Sequence, residues 1–586
     1  MKNKIFIIAA LTALSAFLQF GNIQWGTPNW RRNLLVFSSK EELQGHVPRM
    51  IALRDAYYSK REKIFEEKGK VKLKQIEQSM LDTWGHSEKS KPFGIIPKEV
   101  VLDFSRAYFI NVNLSDEAHA IFPLASMNPK KLDLDPKNYI YGGFYYYTVA
   151  SSLVAAKLAG IISLTKDTGY YFLHPEETTR IYTIVRGAGA LFSVLSVVLL
   201  YIVVAKFFNG VANPALACLF LAISPLVSIH SHLSKPHALS MLLLLAGLYF
   251  ILKIFTAPGT KYYALGGVFL GLSAGALITN LSFILIIFIA HFIKEKRFSF
   301  RSRGLWFGVF FFFLAFLSTN YFLLLHPERF LRFILHQKIY SGYGIFNASE
   351  TFKFIHRIFT WGDHWTVLPL FAAGMSVLLY GNNPAGKIIS IFGLIFFASN
   401  AIFLRHQGVW SIGYPVIAIC LSAAIIHFLK VLNRPALKTG VLLYAAIVVF
   451  FMLARSLHYA NNLFVIHGNF TAAGEWINEN IPGNSRVGIP TGWALPGTMP
   501  AFNFLKYKLV NVPLEKETWQ DSRGYTYPEY IIVPEIYNDI ENIEQFSKIY
   551  SEIISWPGVE RFLGIRFPAA FVPSENVGVK IFKRGF

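Results

Sequence analysis

The sequence has only two cysteines, Cys218 and Cys420, among its 586 residues. Both lie within apolar runs, so the chain offers neither a disulfide framework nor a cysteine metal cluster. Charge is also scarce, because Asp, Glu, Lys and Arg make up 16% of the residues, whereas soluble domains carry about 25%. Apolar residues make up 53%, and long apolar runs recur from residue 5 to residue 455. This composition excludes an ordinary soluble protein and predicts a polytopic membrane protein.

Acidic residues are fewer than basic ones, 35 against 56, which gives a net charge of +21. Nucleic-acid-binding proteins show such an excess, but so do membrane proteins, whose cytoplasmic loops are rich in Lys and Arg beside anionic lipid. The apolar composition favours the second explanation. We therefore expect membrane lipids as partners and no nucleic acid.

Apolar runs long enough for transmembrane helices account for most of the chain, since one span needs about 20 helical residues. The first run, Ile5–Phe20, is short and follows two lysines. It would suit a cleaved signal peptide, but no A-x-A-like site follows it, so an uncleaved anchor is favoured. The other apolar segments lie at 143–163, 181–206, 212–230, 237–255, 263–279, 281–293, 305–325, 365–381, 385–404, 409–429 and 439–455.

Composition divides the chain into four parts. These are an N-terminal transmembrane anchor at 1–20, a first extracytoplasmic loop with an acidic motif at 21–142, a transmembrane helical core at 143–455, and a small C-terminal extracytoplasmic α/β domain at 456–586. Helical spacing and short β-rich runs predict regular elements in the two polar parts. The predicted elements are helices Met50–Met80 and Thr471–Asn480 and strands Arg486–Ile489 and Tyr530–Val533.

Basic residues near the ends of spans predict the orientation. The loop at 294–303 has five basic residues against one acidic residue, Glu295, and is expected to be cytoplasmic, as is Lys430–Lys438. Counting from these loops places the tail outside and the N-terminus inside, with about 11 to 13 crossings. If every apolar segment crosses, there is one crossing too many for these two orientations. The number agrees if 143–163 enters the membrane and returns on the same side, or if one neighbouring pair of segments is divided wrongly.

Two adjacent carboxylates, Asp116 and Glu117, precede the tyrosine-rich stretch Tyr141–Tyr147 where the chain approaches the core. An acidic pair by itself is common in solvated loops and needs no function. Here it is followed by a proline-containing spacer and then by the aromatic run, and this order is more informative than the pair alone.

This order resembles the GT-C superfamily of polytopic glycosyltransferases, and within it the bacterial branch related to protein O-mannosyltransferases and aminoarabinose transferases. The resemblance extends from residue 97 or so to the tail. Its further motifs are Arg180-Ile181-Tyr182, Arg186-Gly187, Ser224-Pro225, His230–His237, Gly266–Gly275, Arg405-His406, Tyr414-Pro415 and Ala473–Pro482. Many members have an acidic residue where this chain has His237, so the resemblance supplies no second carboxylate there.

The resemblance implies an inverting transfer of a monosaccharide from a polyprenyl-phosphate carrier to an acceptor hydroxyl of a protein, glycolipid or polysaccharide. The implied site lies on the extracytoplasmic face of the plasma membrane. A hydroxyl is a poor nucleophile, so a carboxylate must take its proton in the transition state. Asp116 is the expected base, with Glu117 orienting the acceptor or supporting Asp116. The leaving phosphate gains negative charge and needs fixed cations, for which we expect Arg405, Lys235 and His237.

Several of these residues also have a structural interpretation. Arg405 and Lys235 lie at span ends, where basic side chains often serve as snorkelling anchors. Arg186 is costly within an apolar segment, and a structural role would pair it with Glu176 or Glu177.

His406 and Tyr141 are further supporting candidates. The aromatic residues of Tyr139–Tyr147 are expected to form an interfacial belt rather than to stack on sugars. The glycines of 266–275 predict close helix packing and not a phosphate loop, since no strand precedes them. No cofactor is assigned: a divalent metal ion stays open, but the histidines of 230–237 lack the i, i+4 spacing of a helical metal pair and no ligand cluster supports it.

Two other classes of function compete with the transferase. A transporter or flippase of a lipid-linked substrate would show inverted repeats and ionisable residues near the middle of the bilayer. Here no repeat is visible, and most ionisable candidates lie at the ends of loops. A structural assembly subunit would need no convergence of Asp116 with Arg405.

Overall fold

Helices dominate the described part of the chain, as the apolar runs predict. The structure, a computed structural model, describes residues 2–66, 92–257, 259–297, 300–328, 330–331, 334, 346–362, 364–464, 468–490, 494–520, 526–558, 561–562, 565–566 and 577–585. Its first α-helices are α1 (Lys2–Phe20), α2 (Trp30–Val36), α3 (Lys40–Glu66), α4 (Lys98–Ile110), α5 (Ala118–Ile121), α6 (Gly143–Leu158), α7 (Thr168–Leu173), α8 (Pro175–Phe207), α9 (Pro214–Ala222), α10 (Pro225–Ser231), α11 (His237–Lys253) and α12 (Thr260–Ala276). They are followed by α13 (Ile284–Glu295), α14 (Arg303–Thr319), α15 (Phe322–Leu325), α16 (Ala348–Arg357), α17 (Val367–Tyr380), α18 (Pro384–Ser399), α19 (Gln407–Ile412), α20 (Tyr414–Val431), α21 (Pro435–Phe464), α22 (Asn469–Asn480), α23 (Lys516–Gln520) and α24 (Glu544–Ile549).

All eleven predicted apolar segments are helical over most of their length, which confirms the predicted helical fold class. The predicted surface helix Met50–Met80 begins ten residues earlier than expected, at Lys40, and residues 67–80 lie outside the described part. Ser39 explains the earlier start, because its hydroxyl accepts a hydrogen bond from the backbone N–H of Glu42 at 3.1 Å. This is the arrangement of a helix N-cap, which sequence periodicity alone does not show.

Five of the described helices are long and apolar enough to cross a membrane, and the bent pair α9–α10 makes a sixth if it counts as one span. Four shorter helices, α1, α11, α14 and α17, are apolar as well, whereas α6 and α12 are not among them. Helix length and composition therefore identify fewer spans than the predicted 11 to 13 crossings, and that number stays a prediction.

The chain divides into two compact units, and the first comprises Met1–Ile23, His119–Leu158 and Thr183–Ala460. Its helices include the closely packed pair α12 and α14. A Cβ atom at Gly267 or Gly271 would overlap backbone atoms of α14, at Gly308 and Phe312. The predicted use of the glycine run for close helix packing is thus confirmed.

The second unit comprises Gln24–Ala118, Ala159–Tyr182 and Asn461–Phe586, so it combines residues that the sequence assigns to different domains. Its strands are β1 (Arg486–Pro490), β2 (Lys508–Val512), β3 (Tyr530–Pro534), β4 (Tyr550–Trp556), β5 (Arg561–Phe562), β6 (Ile565–Arg566) and β7 (Val579–Arg584). Five of them form a mixed sheet in the order β2-β1-β3-β7-β4, in which β1 is parallel to β2 and β3. The small C-terminal α/β fold is confirmed, including both predicted strands and helix α22.

One edge of this sheet is covered by a segment from early in the chain. The backbone N–H groups of Phe93 and Ile96 donate to the carbonyl oxygens of Asn511 and Leu509 on β2 at 2.9 and 2.8 Å. An unpaired strand edge is prone to association with other chains, and these bonds satisfy that edge. The Phe93 side chain also enters the core of the sheet, with its ring 4.9 Å from that of Trp519.

Candidate active site

The acidic motif forms a short 3₁₀ turn, Ser115–Glu117, in the second unit. The N–H of Glu117 closes the turn by donating to the carbonyl of Leu114 at 3.0 Å. Because a 3₁₀ helix turns by a third of a circle per residue, adjacent side chains point in different directions. Asp116 is exposed, whereas Glu117 has no exposed surface. Of the two carboxylates, Asp116 is therefore the one accessible from solvent.

Several residues of the predicted donor site come together in the first unit. Helix α10 ends at Ser231, a buried turn follows, and α11 starts at His237. Helix α19 packs against both α10 and α11. This packing places the ring of His237 between His230 and His406, with centroid distances of 5.0 and 5.7 Å. We call these three side chains the imidazole row.

The middle member of the imidazole row is polar but enclosed. His237 is 3% exposed, and its Nδ1 has no hydrogen-bond partner among the described residues. Buried polar atoms are usually hydrogen-bonded, and an exception needs an explanation such as a ligand. His230 differs, since its Nδ1 donates to the carbonyl of Leu226 at 2.8 Å. The row therefore contains a buried nitrogen whose hydrogen-bonding capacity is not used by the described residues.

Lys235 supplies a cation next to this row. It is partly exposed, in the turn between α10 and α11, and it lies two residues before His237. The role of Lys235 in binding phosphate stays a prediction. The sequence pattern suggested His230 only as a metal ligand and gave no sign that it lies beside the donor candidates.

Close approach of α19 to α11 depends on Gly408. A Cβ atom at this position would overlap the imidazole ring of His237. His406 immediately precedes α19, and its Nδ1 accepts a hydrogen bond from the N–H of Val409 at 3.4 Å, which caps the helix. His406 therefore sets the start of α19, and Gly408 allows this helix to pack directly against the ring of His237.

Arg405 lies at a break in the helical backbone. The last turn after α18, Asn400–Leu404, is a π-helix, and Arg405 follows with φ 48° and ψ 41°, in the left-handed region. Such a conformation is unfavourable for a side chain with Cβ and is often kept at functional positions. Arg405 also contributes, after Lys353 and Arg357, to lowering the pKa of Glu350 on α16. Arg405 directly follows Pro384–Leu404, a segment long and apolar enough to cross a membrane, and its role stays a prediction.

Arg186, one of the supporting candidates, is buried within the first unit. Arg186 has no exposed surface, and its Nη1 donates to the carbonyl of Ile23 at 2.8 Å. The predicted partners Glu176 and Glu177 instead pair with His174 and Arg180. Position in the chain explains this, because Glu177 and Arg180 are one helical turn apart.

The tyrosine-rich stretch does not form the predicted interfacial belt. Tyr139, Tyr141, Tyr145 and Tyr146 are each at most 6% exposed, and the ring of Tyr141 lies 5.4 Å from that of Tyr145. These aromatic rings pack on each other inside the protein, because α6 starts at Gly143 in direct backbone contact with neighbouring helices. Tyr141 is thus a packing residue of the first unit, and its supporting role is not tested.

No cluster of three or more His, Cys, Asp or Glu side chains suited to a metal ion occurs within the described ranges.

Comparison with known proteins links part of the chain to one family. Residues 182–322 match the family described as dolichyl-phosphate-mannose-protein mannosyltransferase. No curated protein matches the chain.

The chain is distantly similar to solved structures, among which are the following three. ArnT from Cupriavidus metallidurans bound to undecaprenyl phosphate is 12% identical, with 82% of this chain and 95% of that chain covered and a TM-score of 0.42. The archaeal oligosaccharyltransferase AglB from Archaeoglobus fulgidus is 11% identical, with 75% and 69% covered and a TM-score of 0.39. The arabinofuranosyltransferase AftD from Mycobacteria is 15% identical, with 77% and 35% covered and a TM-score of 0.32. All three likenesses are distant, with TM-scores below 0.5.

Proposed function

Residues 182–322 relate the chain to the GT-C glycosyltransferases, and on that premise we propose that it transfers a monosaccharide from a polyprenyl-phosphate carrier to an acceptor hydroxyl, with inversion. The matched family is named for a sugar carried on a lipid phosphate, and this match is the observation that carries the proposal. The matched segment contains three of the charged or polar candidates, Arg186, Lys235 and His237.

The donor phosphate binds at the imidazole row. Lys235 and Arg405 supply fixed positive charge, and the Nδ1–H of His237, which has no partner among the described residues, donates to a phosphate oxygen. Charged hydrogen bonds to phosphate are stronger than neutral ones, and they strengthen as the leaving group gains charge. This arrangement therefore stabilises the departing polyprenyl phosphate more than the bound donor.

Asp116 acts as the general base. The acceptor hydroxyl oxygen attacks the anomeric carbon, and its proton passes to the Asp116 carboxylate. The bond between that carbon and the phosphate oxygen breaks, and its electron pair leaves with the polyprenyl phosphate. A single displacement of this kind inverts the anomeric centre. Glu117 orients the acceptor or supports Asp116 from the buried side of the turn.

The enzyme resides in the plasma membrane, with its site and its C-terminal α/β fold outside the cytoplasm. Basic residues at 294–303 support this orientation, because they favour the cytoplasmic side. The acceptor is a protein, a glycolipid or a polysaccharide of the cell envelope.

The test is mass spectrometry of lipid-linked sugars and surface glycoconjugates from cells with and without the protein. Loss of the protein should make a polyprenyl-phosphate sugar accumulate on the outer side and remove one sugar from a surface acceptor. Unchanged pools of both would refute the proposal.

A flippase of a lipid-linked substrate is the second candidate, because helices α9 and α10 are bent by 55° at a break, and transporters use broken helices at their binding sites. A flippase would leave the sugar–phosphate bond intact. Reconstituted protein given a polyprenyl-phosphate sugar and a soluble acceptor analogue would then release no polyprenyl phosphate.

A further inference from the structure

The loop that carries the acidic motif is held by a buried arginine from a distant part of the second unit. Arg32 on α2 is 7% exposed. Its Nη2 donates to the carbonyl oxygens of Asn111 at 2.8 Å and of Tyr108 at 2.5 Å. Its Nη1 donates to the carbonyl of Gly26 at 3.2 Å. One guanidinium thus joins the end of α4 and the following loop to the segment before α2.

Asn113 lies at the centre of these contacts, three residues before Asp116. It is 4% exposed, and its N–H donates to the carbonyl of Gly26 at 3.0 Å. The backbone carbonyl of Asn113 packs against Gly497, which has a φ of +79°. A Cβ atom at Gly497 would overlap the carbonyl oxygen of Asn113. The main chain at Asn113 is therefore enclosed between two segments that are far apart in sequence.

Both enclosing segments are themselves anchored. The hydroxyl of Tyr108 donates to the carbonyl of Met499 at 3.0 Å, two residues after Gly497. On the other side, the side-chain amide of Asn478 on α22 donates to the carbonyl of Leu35 on α2 at 2.9 Å. The position of Asn113 is thus fixed by elements of the C-terminal α/β fold and not by the loop alone.

We propose that Arg32 and Gly497 are positioning residues that set the direction of Asp116 through Asn113. The proposal rests on the role of Asp116 in the proposed function. A three-residue 3₁₀ turn has poor hydrogen-bond geometry and little stiffness of its own, so its orientation follows the residue on which it starts. The C-terminal α/β fold then contributes to catalysis by positioning Asp116, although none of its own groups touches the substrate.

Gly497→Ala tests this directly, and Gly160→Ala is its matched control. Gly160 also belongs to the second unit and also has a positive φ, +71°, but a Cβ atom there would meet nothing within 4 Å in the described part. Both substitutions place a Cβ atom on a residue with positive φ, and only the one in Gly497→Ala overlaps Asn113.

In single-turnover transfer, Gly497→Ala should lower the rate roughly 10- to 100-fold relative to Gly160→Ala, since a displacement of the base by about 1 Å has effects of this size. Donor affinity should be equal in the two variants, because the donor residues lie elsewhere. Equal rates for both variants would overturn the proposal.

Combination with Asp116→Asn separates positioning from general loss of structure. If Gly497 acts through Asp116, its effect should disappear once the carboxylate is gone, so the double variant should match Asp116→Asn alone. Independent, multiplied losses would show a merely structural role. A parental rate for Asp116→Asn itself would instead refute the proposed function, which keeps the two failures distinct.

Arg32→Lys serves if Gly497→Ala does not fold. Lysine keeps the charge, but one ammonium group cannot reproduce the planar fork that reaches Asn111, Tyr108 and Gly26 together. The rate should fall while donor affinity is kept, again only when Asp116 is present. A parental rate for Arg32→Lys would contradict the proposal.

Discussion

At the scale of single residues, one short turn gives the adjacent carboxylates Asp116 and Glu117 different exposure to solvent. Asp116 is exposed and Glu117 is buried because the 3₁₀ turn rotates one away from the other. The sequence placed both in the site but gave no reason to separate their roles beyond the resemblance. The difference in exposure supplies that reason, because a base must reach its substrate.

Asp116→Asn should keep the fold and donor binding but lower turnover about 100- to 10,000-fold, or roughly 3 to 5 kcal/mol of barrier. The amide preserves the volume of the side chain but cannot accept the proton of the acceptor. Single-turnover transfer, measured beside donor binding, checks this. Glu479→Gln, which alters an exposed carboxylate of the same unit, is the control and should transfer at the parental rate. A fully active Asp116→Asn enzyme would leave the acidic motif as a solvated turn.

Arg405→Ala should weaken donor binding at least roughly ten-fold, because the phosphate loses a charged hydrogen-bond donor. Arg405→Lys should recover only part of it, since an ammonium group lacks the bidentate fork of a guanidinium. Binding of a polyprenyl phosphate in detergent measures both. The exposed Arg434 provides the control, Arg434→Ala. Parental affinity in both Arg405 variants would make this residue an anchor and move the assignment to Lys235.

At the scale of elements, interruptions of helices bring together the residues of the proposed donor site. The Ser224 hydroxyl accepts a hydrogen bond from the N–H of Val227 at 3.3 Å, and Pro225 is the first residue of α10. A new helix therefore starts at the break. The π-helical turn 400–404 ends α18 in the same unit and is followed directly by Arg405 and α19. Breaks of this kind free backbone groups and place polar residues where continuous apolar helices would have none.

Gly408→Ala should lower donor affinity, because the added methyl group overlaps the imidazole of His237 and must displace it. Overpacking of a buried site costs about 1 to 3 kcal/mol, so part of this cost is expected in donor binding. Gly440→Ala on α21 is the matched change, since nothing in the described chain lies within 4 Å of a Cβ there. Titration with a polyprenyl phosphate compares the two. Equal affinities would show that the imidazole row does not contact the donor.

At the scale of the whole molecule, the orientation in the membrane decides which face holds the chemistry. The basic loop at 294–303 and the polar tail should lie on opposite sides. The native thiols do not interfere with a labelling test, because Cys218 and Cys420 are both buried.

An impermeant maleimide applied to intact cells should therefore label Lys548→Cys and spare Arg297→Cys. Lys548 is a well-exposed residue of α24, with 67% of its side chain accessible, and Arg297 is exposed next to α13. Permeabilised cells provide the control, in which both should react. Labelling of Arg297→Cys but not of Lys548→Cys in intact cells would reverse the orientation and place the site in the cytoplasm.

The sequence by itself determined the helices, the two β-rich runs that became β1 and β3, and the resemblance that named the candidate residues. These features are local: apolar length, helical periodicity and alternation act within about 20 residues of chain. Even the close packing of α12 could be predicted, because a run of glycines has one common use in apolar helices.

Only the tertiary structure decided which of these residues meet. The imidazole row combines α10, α11 and the start of α19, and the support of Asn113 combines α2, α4 and the loop at Gly497. The hydrogen bond from Tyr108 to Met499 joins residues 391 positions apart, and no local pattern encodes such a partner. The prediction of an interfacial belt at Tyr139–Tyr147 is wrong for its buried tyrosines for the same reason, since amphipathic aromatic residues look alike at a membrane interface and in a core until their neighbours are known.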